Sequence, residues 1–213
     1  MQTVNLEHLH LAATSERFRS AFLSADWWTP DGWPLLLVAH QNGTERVTGK
    51  DLCIGLTIPG RVAPLRYAVL GSDERTCEVF RARTAKAGHA CVWCEHGDAG
   101  SLAVERVAHD LGQARADLVL VALGAAKGEP LAADLVSRGC PGLLIGVGGG
   151  IGMSVGTAPS APPLVERAGV EWAFRLLREP TRLWRRYLVG YPQVVAAAVV
   201  VVLRRALGRP VPT

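Results

Sequence analysis

The sequence predicts an α/β fold in which a Rossmann-like, mostly parallel sheet carries helices on both faces and a helical C-terminal appendage follows. Short apolar runs alternate with amphipathic stretches, and fully apolar strands are typical of a parallel sheet covered on both sides. The chain has 213 residues, of which 49% are hydrophobic and 20% are charged. This length supports one core without disulfides or metals, and the composition excludes a disordered chain and a disulfide-rich secreted scaffold.

Five apolar runs are the predicted strands: Leu35–Ala39, Leu65–Leu70, Ala90–Cys94, Leu118–Leu123 and Gly142–Val147. The amphipathic segments between them are the predicted helices: Asp73–Ala87, Ser101–Ala114 and Pro130–Arg138. After the PSAPP segment, which has the composition of a linker, helices are predicted over Leu164–Glu179, from Pro180 to about Leu188, and over Val194–Leu207. We therefore divide the chain into an α/β domain at 1–163 and an Arg-rich helical appendage at 164–213.

The positive charge of the chain is concentrated in this appendage. Residues 175–213 hold eight arginines and one acid, Glu179, whereas the rest of the chain is slightly acidic and the formal net charge is +4. A nucleic-acid-binding protein with a uniformly basic face is therefore not favoured. Five cysteines and an N-terminus without a signal-peptide pattern favour a cytoplasmic protein.

The longest apolar run, Val194–Leu203, has ten residues, about half of the ~20 needed to span a bilayer. Arginines lie on both sides of the run, so it resembles an interfacial helix that inserts into anionic lipid. Packing against the body of the protein or a partner chain is the alternative, because the run is apolar on all sides. A monomer and a homo-oligomer are both compatible with this pattern.

A glycine-rich segment, GVGGGIG at 146–152, follows a predicted strand, where open α/β sheets bind ligands. Glycines at i, i+2 and i+5 would indicate a dinucleotide site, but no starting position gives that spacing, and the P-loop lysine is missing. An NAD-type oxidoreductase is therefore disfavoured. A ligand-contacting loop and a tight structural turn remain as the two interpretations.

The segment His89–His96 offers four soft ligands, His89, Cys91, Cys94 and His96, but a single CxxC is a weak metal signal. A regular strand would direct Cys91 and Cys94 to opposite faces, so buried strand cysteines are expected and no metal site is predicted.

Two further features allow a functional and a structural interpretation. Asp31, in the sequence WWTPDG, fits an ordinary Asp-Gly turn, or a carboxylate of raised pKa that serves as a general base. A continuous helix would place four arginines on one face, as a solvated surface or as a site for a dianionic group. These arginines are Arg175, Arg178, Arg182 and Arg185.

Several motifs, in order along residues 3–190, resemble those of the WecG/TagA/CpsF glycosyltransferases. They are TVNLEHL at 3–9, TPDGWPL at 29–35, ERVTGKDL at 45–52, ALGAAKGE at 122–129, and GVGGGIG followed by SAPP and GVEWAFRLLREPTRLWRRYLVG at 146–190. The family's first strand and helix would precede Thr3, which implies an N-terminally shortened domain beginning at Met1.

The resemblance implies inverting, metal-independent transfer of an N-acetylmannosamine-type sugar, without a cofactor, from a UDP-sugar to a polyprenyl-diphosphate-linked sugar at the inner face of the cell membrane. It implies that Asp31 is the general base and that Thr3, Asn5 and Arg46 line the acceptor pocket. The nucleotide sugar would be held by Lys127, Glu129, Gly146, Gly148 and Gly149. The departing diphosphate would be stabilised by Arg175, Arg178, Arg182 and Arg185.

The family's proline is Ala126 here, and three of its polar residues are replaced by small ones. Gly128 replaces a glutamine, Gly152 replaces an aspartate and Ser160 replaces an arginine. The alternative function is therefore a catalytically impaired relative that binds a nucleotide sugar or a partner without transfer.

Overall fold

The computed structural model describes residues 1–32, 35–36, 45–97, 103–167, 170–185, 188 and 190–206. Within these residues, six strands form one sheet in the order β2-β1-β6-β5-β3-β4, and every neighbouring pair is parallel. The strands are β1 (Gln2–Val4), β2 (Trp28–Pro30), β3 (Arg66–Gly71), β4 (Ala90–Glu95), β5 (Leu118–Ala122) and β6 (Leu143–Gly146). The predicted Rossmann-like α/β class is confirmed.

Helices cover the two faces of this sheet. The helices of the body are α1 (Leu6–Thr14), α2 (Glu16–Leu23), α3 (Gly49–Thr57), α4 (Glu74–Lys86), α5 (Val104–Ala114), α6 (Ala125–Ser137) and α7 (Gly150–Val155). One core joins α3, α4 and α7 to the sheet around Tyr67 and Phe80, and the other joins α5 and α6 around Leu111 and Leu135. Covered faces explain why β3 and β5 are almost entirely apolar.

Side chains fix where the first four helices begin. Asn5, Ser15, Thr48 and Asp73 each accept a hydrogen bond from a backbone N–H in the first turn of the helix that follows. These polar residues satisfy donors that have no partner within the helix.

The predicted strand Leu35–Ala39 is wrong where it can be compared. Leu35 and Leu36 are helical, and 37–39 lie outside the described residues. An apolar run of this length fits a buried helix as well as a strand, because periodicity cannot separate the two. The helix predicted at Pro130–Arg138 begins earlier, at Ala125. Pro130 therefore lies inside α6 and does not mark its first turn.

The appendage contains four helices over its described residues: α8 (Pro163–Arg167), α9 (Glu171–Arg178), α10 (Pro180–Arg185) and α11 (Tyr191–Ala206). The predicted continuous helix over Leu164–Glu179 is therefore divided. Pro180 begins a new helix, as predicted, because proline is compatible with a first turn. Across the described part of the chain, no helix is both long and apolar enough to cross a membrane.

Strands β1 and β2 were not predicted, because three residues are too few to show a pattern. Thr3 pairs with Thr29 and Val4 with Pro30, and β1 also pairs with β6. Since all strands run in the same direction, the residues that follow β1, β2, β5 and β6 meet at the carboxyl edge of the sheet.

Candidate active site at the carboxyl edge of the sheet

The predicted acceptor and nucleotide residues meet where β1 lies beside β6. The buried Thr3 hydroxyl donates a hydrogen bond to the carbonyl oxygen of Gly146 at 2.8 Å. Glu129, on α6, is also buried. Its Oε1 atom lies only 2.1 Å from the ideal position of a Cβ on Gly146, which is too close for two real atoms. Any side chain at position 146 would therefore displace the Glu129 carboxylate from this position.

His8 connects this carboxylate to Asn5, and sequence reasoning missed it. The His8 ring is buried, its Nε2 lies 3.4 Å from Glu129 Oε1, and its Nδ1 lies 3.3 Å from the Asn5 backbone nitrogen. Placing the proton on Nε2 lets Nδ1 accept from Asn5 while Nε2 donates to Glu129. His8 is the third residue of α1, and Asn5 caps that helix. The sequence does hold a signal for His8, because it stands three residues after the N-cap, where the capping-box motif usually has Glu or Gln.

Asp31 lies at the end of β2, next to Asn5 at the end of β1. Its backbone N–H donates to the carbonyl of Val4 at 2.6 Å, and its side chain is half-buried. The Val47 N–H donates to the carbonyl of Pro30 at 3.1 Å, so the segment that carries Arg46 runs beside β2. Asp31, Asn5 and Arg46 are therefore brought to one end of the sheet.

Arg46 also contacts the appendage. Its Nη2 atom lies 2.7 Å from Glu171 Oε1, but the angle is not that of a hydrogen bond, so this is a close ion pair. The Nε atom of Arg46 is buried and has no hydrogen-bond partner among the described residues. A buried donor of this kind costs free energy until it finds an acceptor.

Helices α6 and α7 begin at this edge without a side-chain cap. Gly124 and Gly149 occupy their N-cap positions, and neither helix has an acidic residue in its first turn. Lys127 is exposed in the first turn of α6, and Gly149 is exposed beside Gly148. Backbone N–H groups at two adjacent helix starts, together with a lysine, suit an anionic ligand.

The four arginines predicted to share one helix face do not lie on one continuous helix, because the backbone breaks between α9 and α10 at Glu179. Arg178 is exposed, and its guanidinium carbon lies 5.2 Å from the centre of the Phe174 ring. The side chains of Arg175, Arg182 and Arg185 lie outside the described part of the structure.

Local packing surrounds each of the three departures from the family pattern. An ideal Cβ would lie 3.1 Å from Val121 at Gly128 and 2.9 Å from Ala158 at Gly152. The Ser160 hydroxyl donates to Glu166 at 3.0 Å and accepts from Lys50 at 3.3 Å. Lys50 also pairs with Glu166, which attaches the start of the appendage to α3.

The expectation that Cys91 and Cys94 point to opposite faces is wrong. Tyr67 pairs with Cys91 but the next residue, Ala68, pairs with Trp93, so β4 contains one extra residue. This bulge brings both cysteines to the face that carries α4, where they pack against the core around Tyr67. There the Cys94 thiol donates to the sulfur of Cys77 at 2.9 Å, and this hydrogen bond lowers the pKa of Cys77.

A parallel α/β sheet with an anion-suited carboxyl edge and a half-buried carboxylate beside it is the arrangement of an α/β protein whose ligand site lies at the carboxyl ends of the strands. Residues 1–208 match the model of the glycosyl transferase WecG/TagA/CpsF family, and the chain belongs to this family. One relative is the N-acetylglucosaminyldiphosphoundecaprenol N-acetyl-beta-D-mannosaminyltransferase of Bacillus spizizenii. It is 26% identical over 200 residues, which cover 92% of this chain and 77% of the relative.

Proposed function

We propose that this glycosyltransferase moves an N-acetylmannosamine-type sugar from a UDP-sugar to a polyprenyl-diphosphate-linked sugar in the synthesis of a bacterial cell-surface polysaccharide. Family membership and the activity in the name of the Bacillus relative support the transferred sugar and the lipid-linked acceptor, and the UDP-sugar donor is part of the proposal. The observation that carries the proposal is the position of Asp31 beside Asn5 and Arg46, at the carboxyl edge formed by β1 and β2.

Asp31 is the proposed general base. The acceptor hydroxyl would donate its proton to the Asp31 carboxylate as its oxygen attacks the anomeric carbon of the donor sugar. A single displacement of this kind inverts that carbon and releases UDP. Asn5 and Thr3 are positioning residues in this scheme, because their side chains hold α1 and the end of β6 in place.

The proposed donor site uses the helix starts for the negative charge. The diphosphate would lie against the first turns of α6 and α7, near Lys127, Gly148 and Gly149. Donors that are already oriented stabilise charge on the leaving group without reorganisation. The arginines of the appendage would complete this environment, and transfer would need no metal ion.

The same appendage is the proposed contact with an anionic membrane surface. It holds most of the exposed large apolar side chains of the described chain, among them Leu164, Leu177, Leu188 and Val199, which are 77%, 83%, 64% and 50% exposed. Exposed apolar groups beside arginines favour an interfacial position. The protein would then act as a peripheral enzyme at the inner face of the membrane, where a lipid-linked acceptor lies.

The central experiment measures UDP release from UDP-N-acetylmannosamine with a lipid-linked N-acetylglucosamine acceptor. We expect Asp31→Asn to lower the rate by about 10²–10⁴-fold, the usual effect of losing a general base. Asp26→Asn makes the same charge change at an exposed residue that precedes β2. Asp26 lies at the amino end of this strand, away from the carboxyl edge, so the change should leave the rate unchanged. An unchanged rate in a metal chelator would support metal-independent transfer.

Two outcomes would contradict the proposal. If Asp31→Asn keeps the rate of the unmodified protein, Asp31 is not the base. If the protein binds the nucleotide sugar but releases no UDP while the Bacillus relative does, it is the impaired relative, in keeping with Gly128, Gly152 and Ser160.

The membrane contact is tested separately, by sedimentation with anionic liposomes. Deletion of 194–213 should lower the bound fraction, whereas liposomes of neutral lipid should bind poorly in both cases. Equal binding of the two proteins would show that this helix packs internally instead.

A further inference from the structure

A second cluster of reactive side chains lies beside the outermost strand β4, on the side of the sheet opposite β2. It lines a cleft of about 120 Å³ between α4 and β4. The ligand atoms of Cys77, Cys94 and His96 all lie within 4.8 Å of one another. Cys91 and Glu74 line the same cleft. None of these residues has a part in the proposed transfer reaction.

Two local features of the chain create this cluster. On α4, Glu74, Cys77 and Arg81 follow the spacing of one helix face, so they point together toward β4. On β4, the bulge after Cys91 turns Cys94 to that same face. His89, which the sequence places with these ligands, does not line the cleft, and its Nδ1 accepts from the backbone N–H of Leu65.

We propose that Cys77, Cys94 and His96 form a binding site for one zinc-class divalent ion. Two thiolates and an imidazole are ligands that zinc prefers, and a fourth tetrahedral position would face the cleft beside Glu74. Binding releases the two thiol protons to solvent and leaves the oxidation state of the sulfurs unchanged.

The distances between the ligand atoms of this cluster can be compared with those of a tetrahedral zinc site. With Zn–S bonds of about 2.3 Å, two coordinating sulfurs lie about 3.8 Å apart. Here Cys77 Sγ and Cys94 Sγ are separated by 2.9 Å, and Cys94 Sγ lies 3.9 Å from His96 Nδ1. Binding of the ion would increase the distance between the two sulfurs by about 1 Å. The exposed His96 ring can move with them, because it is not packed in the core.

The charge around the cleft is compatible with a divalent cation. Arg81 contributes one positive charge to the lining, and Glu74 and Glu78 contribute two negative charges. The two carboxylates outweigh the one guanidinium charge, and the thiolates of a bound site would add further negative charge.

The site is separate from the transfer site. Strand β4 forms one edge of the sheet and β2, which leads to Asp31, forms the other. Five inter-strand spacings separate them, which amounts to about 24 Å. An ion at this site would join α4 to the edge strand and would not contact the substrates of the transfer reaction.

The test is a titration of the reduced full-length protein with Co²⁺, a spectroscopic probe, followed by displacement with Zn²⁺. We expect one equivalent of Co²⁺ to produce a thiolate-to-cobalt charge-transfer band that Zn²⁺ removes. Cys77→Ser and Cys94→Ser should abolish the band, and His96→Asn should weaken binding about tenfold or more. Cys140→Ser removes a thiol outside the cleft, so its titration should match that of the unmodified protein.

Circular dichroism of each variant confirms that it is folded, so a lost band reports on ligation. An absent charge-transfer band in the unmodified protein overturns the proposal, and so does an undiminished band in Cys94→Ser. Formation of a Cys77–Cys94 disulfide by mild peroxide while excess Zn²⁺ is present, detected by mass spectrometry, also overturns it, since bound zinc would protect both sulfurs.

Discussion

The contact between Gly146 and Glu129 gives the sharpest prediction about this site. In Gly146→Ala, the new Cβ would lie 2.1 Å from Glu129 Oε1, whereas ordinary contacts begin at 3.4 Å. The carboxylate must therefore move by about 1.3 Å, which disturbs its 3.4 Å contact with His8 Nε2.

Two costs contribute to the expected loss of stability. Overpacking of a core position costs about 1–3 kcal/mol. Leaving His8 or the carboxylate without its buried partner costs about 1–3 kcal/mol more. Partial relaxation makes the sum an upper limit, so we expect Gly146→Ala to lower the free energy of unfolding by about 3 kcal/mol. In urea this corresponds to a shift of the midpoint by roughly 1 M.

A double-mutant cycle with Glu129→Ala tests the stated cause. In the double variant, the methyl group introduced at position 146 occupies space that the carboxylate has left. The double variant should therefore be about 2 kcal/mol more stable than the sum of the single changes predicts. Gly112→Ala is the matched control, because no atom of the described residues lies within 4 Å of its ideal Cβ and the change should not destabilise the protein. Additivity within about 0.5 kcal/mol would refute the reasoning.

Three further predictions concern the same framework. Gly150→Ala should cost at least as much stability as Gly146→Ala in the urea assay, because its Cβ would lie 2.6 Å from a backbone carbon of Gly49, which cannot rotate away; a neutral effect would contradict this packing. Thr3→Val should cost about 1 kcal/mol, since it removes the side-chain hydrogen bond to the Gly146 carbonyl while the main-chain pairing of β1 with β6 remains, and an unchanged midpoint would show that the hydroxyl contributes no net stability. Burial raises the pKa of Cys53 from 9.0 to about 12, so the folded protein keeps a proton that the unfolded chain releases. The stability from this group is complete below pH 9 and falls as the pH rises toward 12, and Cys53→Ala should show a flatter decline of the urea midpoint over that range.

The central part of the sheet could be predicted from the sequence because burial on both faces leaves a simple signal. Strands β3, β4, β5 and β6 are apolar runs of four to six residues that lie between helices. Strands β1 and β2 gave no such signal, since each has three residues and β1 contains the buried polar Gln2 and Thr3. Their pairing depends on distant partners, which periodicity does not report.

The candidate site was predictable only in its motif residues. The resemblance named Asn5 and Glu129, but it gave no account of His8, which joins them through space across 121 positions of the chain. The bulge in β4 was equally hidden, because an extra residue in a strand is decided by how it pairs with its neighbour. One inserted residue reversed the expected orientation of Cys94 and brought it beside Cys77.

The glycine loop shows why neither of its two interpretations was complete. Gly146 makes room for Glu129, and Gly150 makes room for the backbone at Gly49, so these two glycines are explained by packing. Gly148 and Gly149 form the turn between β6 and α7; Gly148 has a φ of +50°, which favours glycine, no atom of the described residues lies near its ideal Cβ, and Gly149 is exposed. A ligand that contacts this loop would therefore reach the backbone at Gly148 and Gly149. Packing therefore accounts for Gly146 and Gly150, the turn accounts for Gly148, and the ligand-contacting interpretation stays a prediction for the backbone of Gly148 and Gly149.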